Sequence, residues 1–243
     1  MDAFSTNLIL AGLPAVEREQ IIGACELREV HLGEVIDEME QPIRFLHFPV
    51  DAAISVTDMR DEQHIVEVSV TGKEGCTGAS VVQGSDRSPC MAMIQIGGRA
   101  VRLQTAVVMD GLPLLPYLHA ALKRYNLLLM HHAVVSVGCS QFHSTPQRLA
   151  RWLKAHWHRT GLATFPFTTE FLAAQAGVPR AAAAEALEDF QDRGLVHKTY
   201  NTITITDHGG LARAACACLA QAMKATDDYV RALNALARHH AKT

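Results

Sequence analysis

The chain has 243 residues, 49% of them apolar and 6% aromatic, which is enough for one large or two small domains with a buried core. A formal net charge of −3 at pH 7 excludes an overall basic field, so any nucleic-acid contact must use a local patch. No window approaches the run of about 18 apolar residues that a membrane span requires, and the N-terminus lacks the pattern of an export signal. We therefore expect a cytoplasmic protein without membrane association.

The first half of the chain begins with a helical pattern and continues with short strands. A helical pattern covers the first thirty residues, and from Glu29 to Leu103 the texture changes to short β-rich runs. The runs are REVHLGEVI, IRFLHFPV, AAISVTDM, HIVEVSV, CMAMIQIG and RAVRLQ. Many short strands at regular spacing are typical of a sandwich or a jelly-roll barrel.

A long apolar helix is predicted from about Leu112 to Cys139. Side chains at alternating steps of three and four form an a/d seam: Leu115, Leu118, Leu122, Tyr125, Leu129, His132 and Ser136. A second stripe flanks it, so the helix needs two partners, its own barrel and a second subunit. The seam predicts a coiled-coil-like dimer, and burial inside one chain is the alternative.

A second domain is predicted after a break near Phe142–Thr145. Ser144 and Gln147 have the spacing of a capping box, and the helix QRLARWLKAHWHRTG follows. Next come FTTEFLAAQAG, the turn VPR, the helix RAAAAEALEDFQDRG and a β-hairpin around Tyr200-Asn201. From Gly209 the chain is Ala-rich and helical, and we expect this extension to pack on the small domain or on a partner.

The two helices around VPR have the pattern of a helix-turn-helix. Ala173 and Gly177 are small enough for a close helix crossing, and Thr168 is placed to cap a helix near a phosphate. Arg180 begins the second helix, where a side chain first reaches a guanine edge in the major groove. Residues 144–208 carry seven basic and six acidic side chains, a net charge of +1, so weak or narrowly tuned DNA binding is expected.

The cysteines predict no disulfide framework and no metal site. The six are Cys25, Cys76, Cys90, Cys139, Cys216 and Cys218. They form no CxxC pair, and on a helix Cys216 and Cys218 would not face the same way. Reduced thiols are expected, and a redox switch through Cys76, Cys90 or Cys139 is the alternative.

In this order, IRFLHFP, VTGKEGCTG, GSDRSP, CSQFHSTPQRLARWL and EFLAAQAGVPR resemble the Crp/Fnr family of bacterial transcription regulators, as far as about residue 218. The resemblance implies an α+β fold with an N-terminal β-roll or jelly-roll sensor domain, a long dimerisation helix and a C-terminal winged helix-turn-helix. The boundaries that we expect are 1–111 for the cyclic-nucleotide-binding-like barrel, 112–143 for the dimerisation helix and hinge, 144–208 for the DNA-binding domain and 209–243 for the helical extension.

The resemblance also implies the partners: a second copy, palindromic double-stranded DNA and RNA polymerase. It implies DNA contacts from Thr168, Thr169, Arg180, Ala181, Ala184, Glu185, Lys198, Tyr200 and Asn201. No paired carboxylates, P-loop or activated nucleophile indicate an enzyme. Glu185 stands where the family often has arginine, so the specificity must differ from the usual half-site. The alternative is a degenerate member that acts as a sensor or protein-interaction module, with weak or lost DNA binding.

The effector cassette of cyclic-AMP-binding members is only partly present. Its candidate residues here are Gly78, Ala79, Arg87, Ser88 and Ala133. Ala79 replaces the glutamate that holds the ribose, so cyclic AMP is not the expected effector. Only Cys25 lies among the first seventy-five residues, so the family's N-terminal iron–sulfur site cannot be built. No cofactor is expected, and the effector is unassigned.

Overall fold

The computed structural model describes residues 3–61 and 64–240, so the ends of the first and last predicted domains lie outside it. The chain divides into two compact units. The first comprises Met1–Val56, Val70–Met130 and Ala225–Thr243, and the second comprises Thr57–Ser69 and His131–Lys224.

Three short helices open the first unit: α1 (Ala3–Thr6), α2 (Leu8–Ala11) and α3 (Ala15–Ile22). Asn7 caps α2, because its side chain accepts from the amides of Ile9 and Leu10. The same side chain donates to the carbonyls of Pro49 and Gly75 at 3.0 and 2.9 Å, and so fastens the N-terminal segment to the strands.

Within the described residues, seven strands of the N-terminal half form two sheets. They are β1 (Cys25–Val30), β2 (Val35–Asp37), β3 (Phe45–Pro49), β4 (Ala53–Asp61), β5 (His64–Thr71), β6 (Met91–Ile96) and β7 (Gly98–Gln104). One sheet has the order β1-β7-β3 and the other β2-β6-β4-β5. Two facing sheets of short strands confirm the predicted β-roll.

The long helix begins later than expected. Thr105–Gly111 forms α4, Leu112–Leu114 forms a 3-10 turn, and α5 runs from Pro116 to Phe142. Leu115 leaves the helical region with φ −121° and ψ 53°, because a residue before proline avoids helical geometry. The carboxylate of Glu17 accepts from the amides of Tyr117 and Leu118 at 2.8 and 3.0 Å and caps the start of α5.

The expected intersubunit seam on α5 is corrected by the structure. Leu115, Leu118, Leu122 and Tyr125 are buried in the core of the first unit, and Leu129 packs against that core. His132 is also buried and Ser136 is half-buried. Besides Phe142 at its end (83%), α5 exposes four large apolar side chains: Leu127 (60%), Met130 (59%), Val134 (66%) and Val137 (65%). Spaced by three, four and three residues, these form one stripe, which we call the α5 stripe.

The second unit contains the predicted winged helix-turn-helix. Its helices are α6 (Thr145–Thr160), α7 (Thr169–Ala176), α8 (Arg180–Asp192) and α9 (His208–Ala214). The strands β8 (Thr164–Phe165), β9 (Val196–Lys198) and β10 (Ile203–Ile205) pair in the order β8-β10-β9. The Ser144 amide donates to Gln147 Oε1 at 3.1 Å, which confirms the capping box.

The C-terminal extension divides between the units. Its helix α10 spans Cys218–His240, and residues from Ala225 onward belong to the first unit. Tyr229 and Leu233 are buried in that unit's core, and Tyr229 Oη donates to the carbonyl of Glu74 at 2.9 Å. The expectation that the extension packs on the small domain or on a partner is therefore wrong for this part of it.

Among the described residues, no single helix is both long and apolar enough to cross a membrane. Thr105–Leu114 and Pro116–Phe142 meet the length and composition criterion only as a pair, across a bend of 118°.

Candidate nucleic-acid interface

The turn between α7 and α8 is fixed by local chemistry. Thr168 caps α7 by accepting from the amide of Phe171 at 3.1 Å. Gly177 ends α7 in the left-handed region at φ +62°, and a Cβ there would lie 3.1 Å from Val66 Cγ2. A side chain at this position would be strained by its backbone and crowded by its neighbour.

A cation from α6 holds the same turn. Arg148 Nη2 donates to the carbonyls of Ala176 and Gly177 at 2.7 and 3.1 Å. These carbonyls end α7, where the helix dipole is negative, so the guanidinium also interacts favourably with the helix. Arg148 is one of the seven basic residues in 144–208, and no local sequence motif signals that it holds this turn.

One face of α8 is open to solvent. Ala183, Ala186, Leu187 and Phe190 are buried and fasten the helix to its unit. Six others form the outward face: Arg180, Ala181, Glu185, Glu188 and Asp192 are exposed, and Ala184 is half-buried. The residues of α8 named as DNA contacts from sequence thus lie together, with Arg180 at the N-terminus of the helix. Thr169 is half-buried in the first turn of α7.

The hairpin between β9 and β10 presents the other named residues. Tyr200 is 88% exposed and Asn201 is exposed at the hairpin tip, while Lys198 is half-buried at the end of β9. The Lys198 amide donates to Gln191 Oε1 at 3.0 Å, which links the hairpin to the last turn of α8. This hydrogen bond fixes the position of the wing relative to α8.

Most of the basic side chains in this unit have structural partners. Lys154 Nζ lies 3.9 Å from the ring centroid of Trp157, and Arg193 pairs with Asp189 at 2.8 Å. Arg159 donates to His132 Nδ1 at 2.7 Å; burial and this arginine lower the pKa of His132 to about 2, so the ring is a neutral acceptor. Of the seven basic residues in 144–208, Arg180 lies at the start of the outward face of α8 and Lys198 on the wing, and no described side chain pairs with either, so these two remain for phosphate or base contacts.

The candidate effector residues Arg87 and Ser88 are hydrogen-bonded to backbone carbonyls of their own unit. Ala79 is buried and begins a 3-10 turn after Gly78, which has φ +77°. Arg87 Nη1 donates to the carbonyl of Glu40, and Ser88 Oγ donates to the carbonyl of Cys90, both at 2.6 Å. These four candidates lie in the first unit, whereas Ala133 belongs to the second.

A different cleft, of about 430 Å³, opens in the β-roll. Charged side chains line much of it, including Arg28, Glu34, Asp37 and Arg102, and His47 contributes to its wall. Arg28 pairs with Glu34 at 2.7 Å, so part of this charge is already neutralised.

Burial of His47, with Arg28 and Arg102 nearby, lowers its pKa to about 4. Protonation of His47 therefore favours the unfolded chain as pH falls from about 6.5 towards 4. We expect this histidine to lower the free energy of unfolding by about 2–3 kcal/mol between about pH 7.5 and pH 4.5. Burial raises the pKa of Asp37 to about 6, which acts in the opposite direction, so wild type and His47→Gln must be compared directly.

Urea unfolding at the two pH values measures this effect. We expect the free energy of unfolding of the His47→Gln variant to fall by about 2–3 kcal/mol less on acidification than that of the wild type. His197→Gln, an exposed histidine on β9, is the matched control and should follow the wild type. Equal losses in wild type and His47→Gln would contradict the neutral, buried state of His47.

The comparisons with known proteins agree with this architecture. Residues 147–214 match the Crp-like helix-turn-helix domain family. FixK2 from Bradyrhizobium japonicum has 12% identity and a TM-score of 0.67, with 79% of this chain and 98% of that chain covered. A Crp/Fnr-family transcriptional regulator from Thermus thermophilus has 16% identity and a TM-score of 0.61, with 78% and 98% covered.

A third solved structure is the c-di-GMP-responsive global regulator CLP from Xanthomonas campestris. It has 15% identity and a TM-score of 0.59, with 79% of this chain and 98% of that chain covered. No curated protein matches the sequence. At these identities the likeness concerns the fold.

Proposed function

We propose that this chain, which combines the fold of Crp/Fnr transcription regulators with a Crp-like helix-turn-helix domain at residues 147–214, acts as a homodimer on palindromic double-stranded DNA. The observation that carries the proposal is the solvent-facing side of α8, which begins with Arg180 and ends against the wing. In this role the protein works in the cytoplasm and affects RNA polymerase at promoters. Neither its fold nor its family match is that of an enzyme.

Base reading would rest on few side chains. Arg180 is suited to guanine O6 and N7, the methyl groups of Ala181 and Ala184 to thymine methyls, and Glu185 to the amino group of cytosine. Lys198, Tyr200 and Asn201 on the wing, with Thr168 and Thr169 at the start of α7, are suited to the phosphate backbone. This set supports a specificity unlike that of relatives with further basic residues on the recognition helix.

The α5 stripe supports dimerisation. Four apolar side chains, each at least 59% exposed, follow one helix at coiled-coil spacing. Two copies packed along this stripe would form an isologous interface with two-fold symmetry. Two-fold symmetry would in turn place two copies of α8 at half-sites about 34 Å apart.

We also propose that cyclic AMP is not the effector. Ala79 is buried and supplies no acceptor for a ribose hydroxyl, while Arg87 and Ser88 donate to carbonyls of their own unit. A phosphate at this position would have to displace both hydrogen bonds. The effector, where one exists, therefore binds by other groups.

Replacing Arg180 with alanine tests DNA reading. A bidentate arginine–guanine contact contributes about 1–3 kcal/mol, so affinity for the selected site should fall by about 5- to 150-fold. Arg193→Ala removes the same charge from the end of α8, where the guanidinium is paired with Asp189, and should change affinity by less than about 2-fold. Fluorescence anisotropy at fixed salt, on DNA selected in vitro from the protein's own upstream region, gives both affinities.

The same binding experiment distinguishes the proposed regulator from the alternative function. Exposed Glu185, Glu188 and Asp192 on the same face favour a sensor or protein-interaction module that binds DNA weakly. Failure to select any specific site would support this module and overturn the proposal. Equal losses for Arg180→Ala and Arg193→Ala would show that binding depends on charge alone.

A further inference from the structure

Four potential metal ligands converge in the second unit. Cys139 and His143 lie at and just beyond the end of α5, Cys216 lies in the connection between α9 and α10, and Cys218 is the first residue of α10. Their ligand atoms all lie within 4.8 Å of one another. Because α10 begins only at Cys218, the expectation that Cys216 and Cys218 point apart on one helix does not apply.

The separations fit one tetrahedral ion. Cys139 Sγ lies 3.5 Å from Cys216 Sγ, and Cys218 Sγ lies 3.6 Å from His143 Nδ1. Metal–sulfur bonds of about 2.3 Å and metal–nitrogen bonds of about 2.0 Å at tetrahedral angles place neighbouring ligands about 3.5–3.8 Å apart. A disulfide would require sulfurs at about 2.05 Å, and a cluster of several irons would require more widely separated thiolates.

The surroundings are those of a closed site. The three cysteines are 0–8% exposed and pack with Val135 and Ala222. Four protein ligands leave no open position for water or substrate, which is typical of a structural rather than a catalytic ion. Soft ligands such as thiolates favour zinc over the hard cations Mg²⁺ and Ca²⁺, which prefer oxygen. A set of three thiolates and one imidazole therefore favours zinc.

A neighbouring cation would complete the charge balance. Three thiolates, a neutral imidazole and Zn²⁺ carry a net charge of −1. The charge of Arg151 acts on both Cys139 and Cys218, and Arg151 Nε is buried with no hydrogen-bond partner in the described chain. An N–H group in this position can donate to a metal-bound thiolate, the usual arrangement around a buried zinc site.

We propose that Cys139, His143, Cys216 and Cys218 bind one Zn²⁺ ion that fastens the C-terminal end of α5 to the start of α10. Binding exchanges the three thiol protons for the cation, and the protons leave to solvent. The ion closes a loop of chain that contains the whole helix-turn-helix, since Cys139 precedes this domain and Cys216 follows it. Its free energy of binding therefore adds to the stability of the second unit.

Metal analysis of the full-length protein, purified without a polyhistidine tag, tests the site. We expect one zinc ion per chain in wild type. In Cys139→Ser and Cys218→Ser the affinity for zinc should fall by at least about tenfold. Cys90→Ser, a half-buried cysteine of the other unit, is the matched control and should keep the ion. Chelation should lower the melting temperature of wild type, and added zinc should restore it.

Cobalt substitution reports ligand identity even where a serine variant fails to fold. Apo wild type and Cys90→Ser titrated with Co²⁺ should show tetrahedral d–d bands and thiolate-to-cobalt charge-transfer absorption. Folded wild type that contains no zinc and gives no cobalt spectrum would overturn the proposal. So would a Cys139–Cys216 disulfide in freshly isolated protein, which would identify a redox pair, or iron with acid-labile sulfide.

Discussion

Replacing Val134 with glutamate is expected to break the proposed dimer into monomers and to weaken binding to the proposed palindromic site by at least about 100-fold. Val134 lies in the middle of the α5 stripe and is 66% exposed, so the substitution leaves the fold of the chain intact. In an isologous interface both subunits contribute the same surface, so two glutamates would be buried. Each carboxylate would be desolvated without a partner. Sedimentation velocity gives the mass, and fluorescence anisotropy gives the affinity.

Leu114→Glu is the matched control for this experiment. Leu114 is 65% exposed and apolar, but it lies in the 3-10 turn before α5, outside the stripe. The variant should remain dimeric and bind DNA as wild type does. A Val134→Glu protein that stays dimeric would show that the subunits meet elsewhere, and a wild-type monomer would exclude the dimer altogether.

Truncating Tyr229 to alanine is expected to lower the free energy of unfolding by about 3–5 kcal/mol, as for other large buried aromatic side chains. The ring is 6% exposed and lies 5.7 Å from the ring of Tyr125, centroid to centroid. The hydroxyl donates to the carbonyl of Glu74, so truncation also leaves a buried acceptor without its donor. Chemical denaturation followed by circular dichroism measures the loss.

Tyr229→Phe separates the two contributions. It keeps the ring and removes only the hydrogen bond, so the loss should be about 1 kcal/mol. If Tyr229→Ala cost no more than Tyr229→Phe, the last part of α10 would be an appendage of the β-roll. The large difference that we expect would make it a structural part of the first unit.

The helix-turn-helix could be predicted from sequence because its signals are local. The Ser144 capping box, Gly177 at the turn and the Tyr200-Asn201 hairpin each depend on residues a few positions apart. The intersubunit seam of α5 could not be placed in the same way. Helix α5 is apolar around much of its circumference, so its sequence is compatible with more than one buried face. Only packing against the β-roll decides that Leu118 and Leu122 face inward.

The proposed zinc ligands were missed for a related reason. Cys139 and Cys216 are 77 positions apart, and no spacing rule joins residues whose proximity depends on the folding of a domain between them. The same holds for Arg148, which reaches a turn 28 residues away. Sequence gives the residue types of such sites, and tertiary structure decides which of them meet.

The run of four alanines at the start of α8 also has a consequence for the entropy of the proposed DNA recognition. Alanine is the strongest helix former and has no side-chain rotamers, so residues 181–184 are ordered in the free protein and would lose little freedom on binding DNA. The cost of immobilising flexible side chains would fall on Arg180 and Glu185, since Ala181 and Ala184 have no rotamers to lose. A small set of contacts can then suffice, because little of their free energy is spent on ordering the protein.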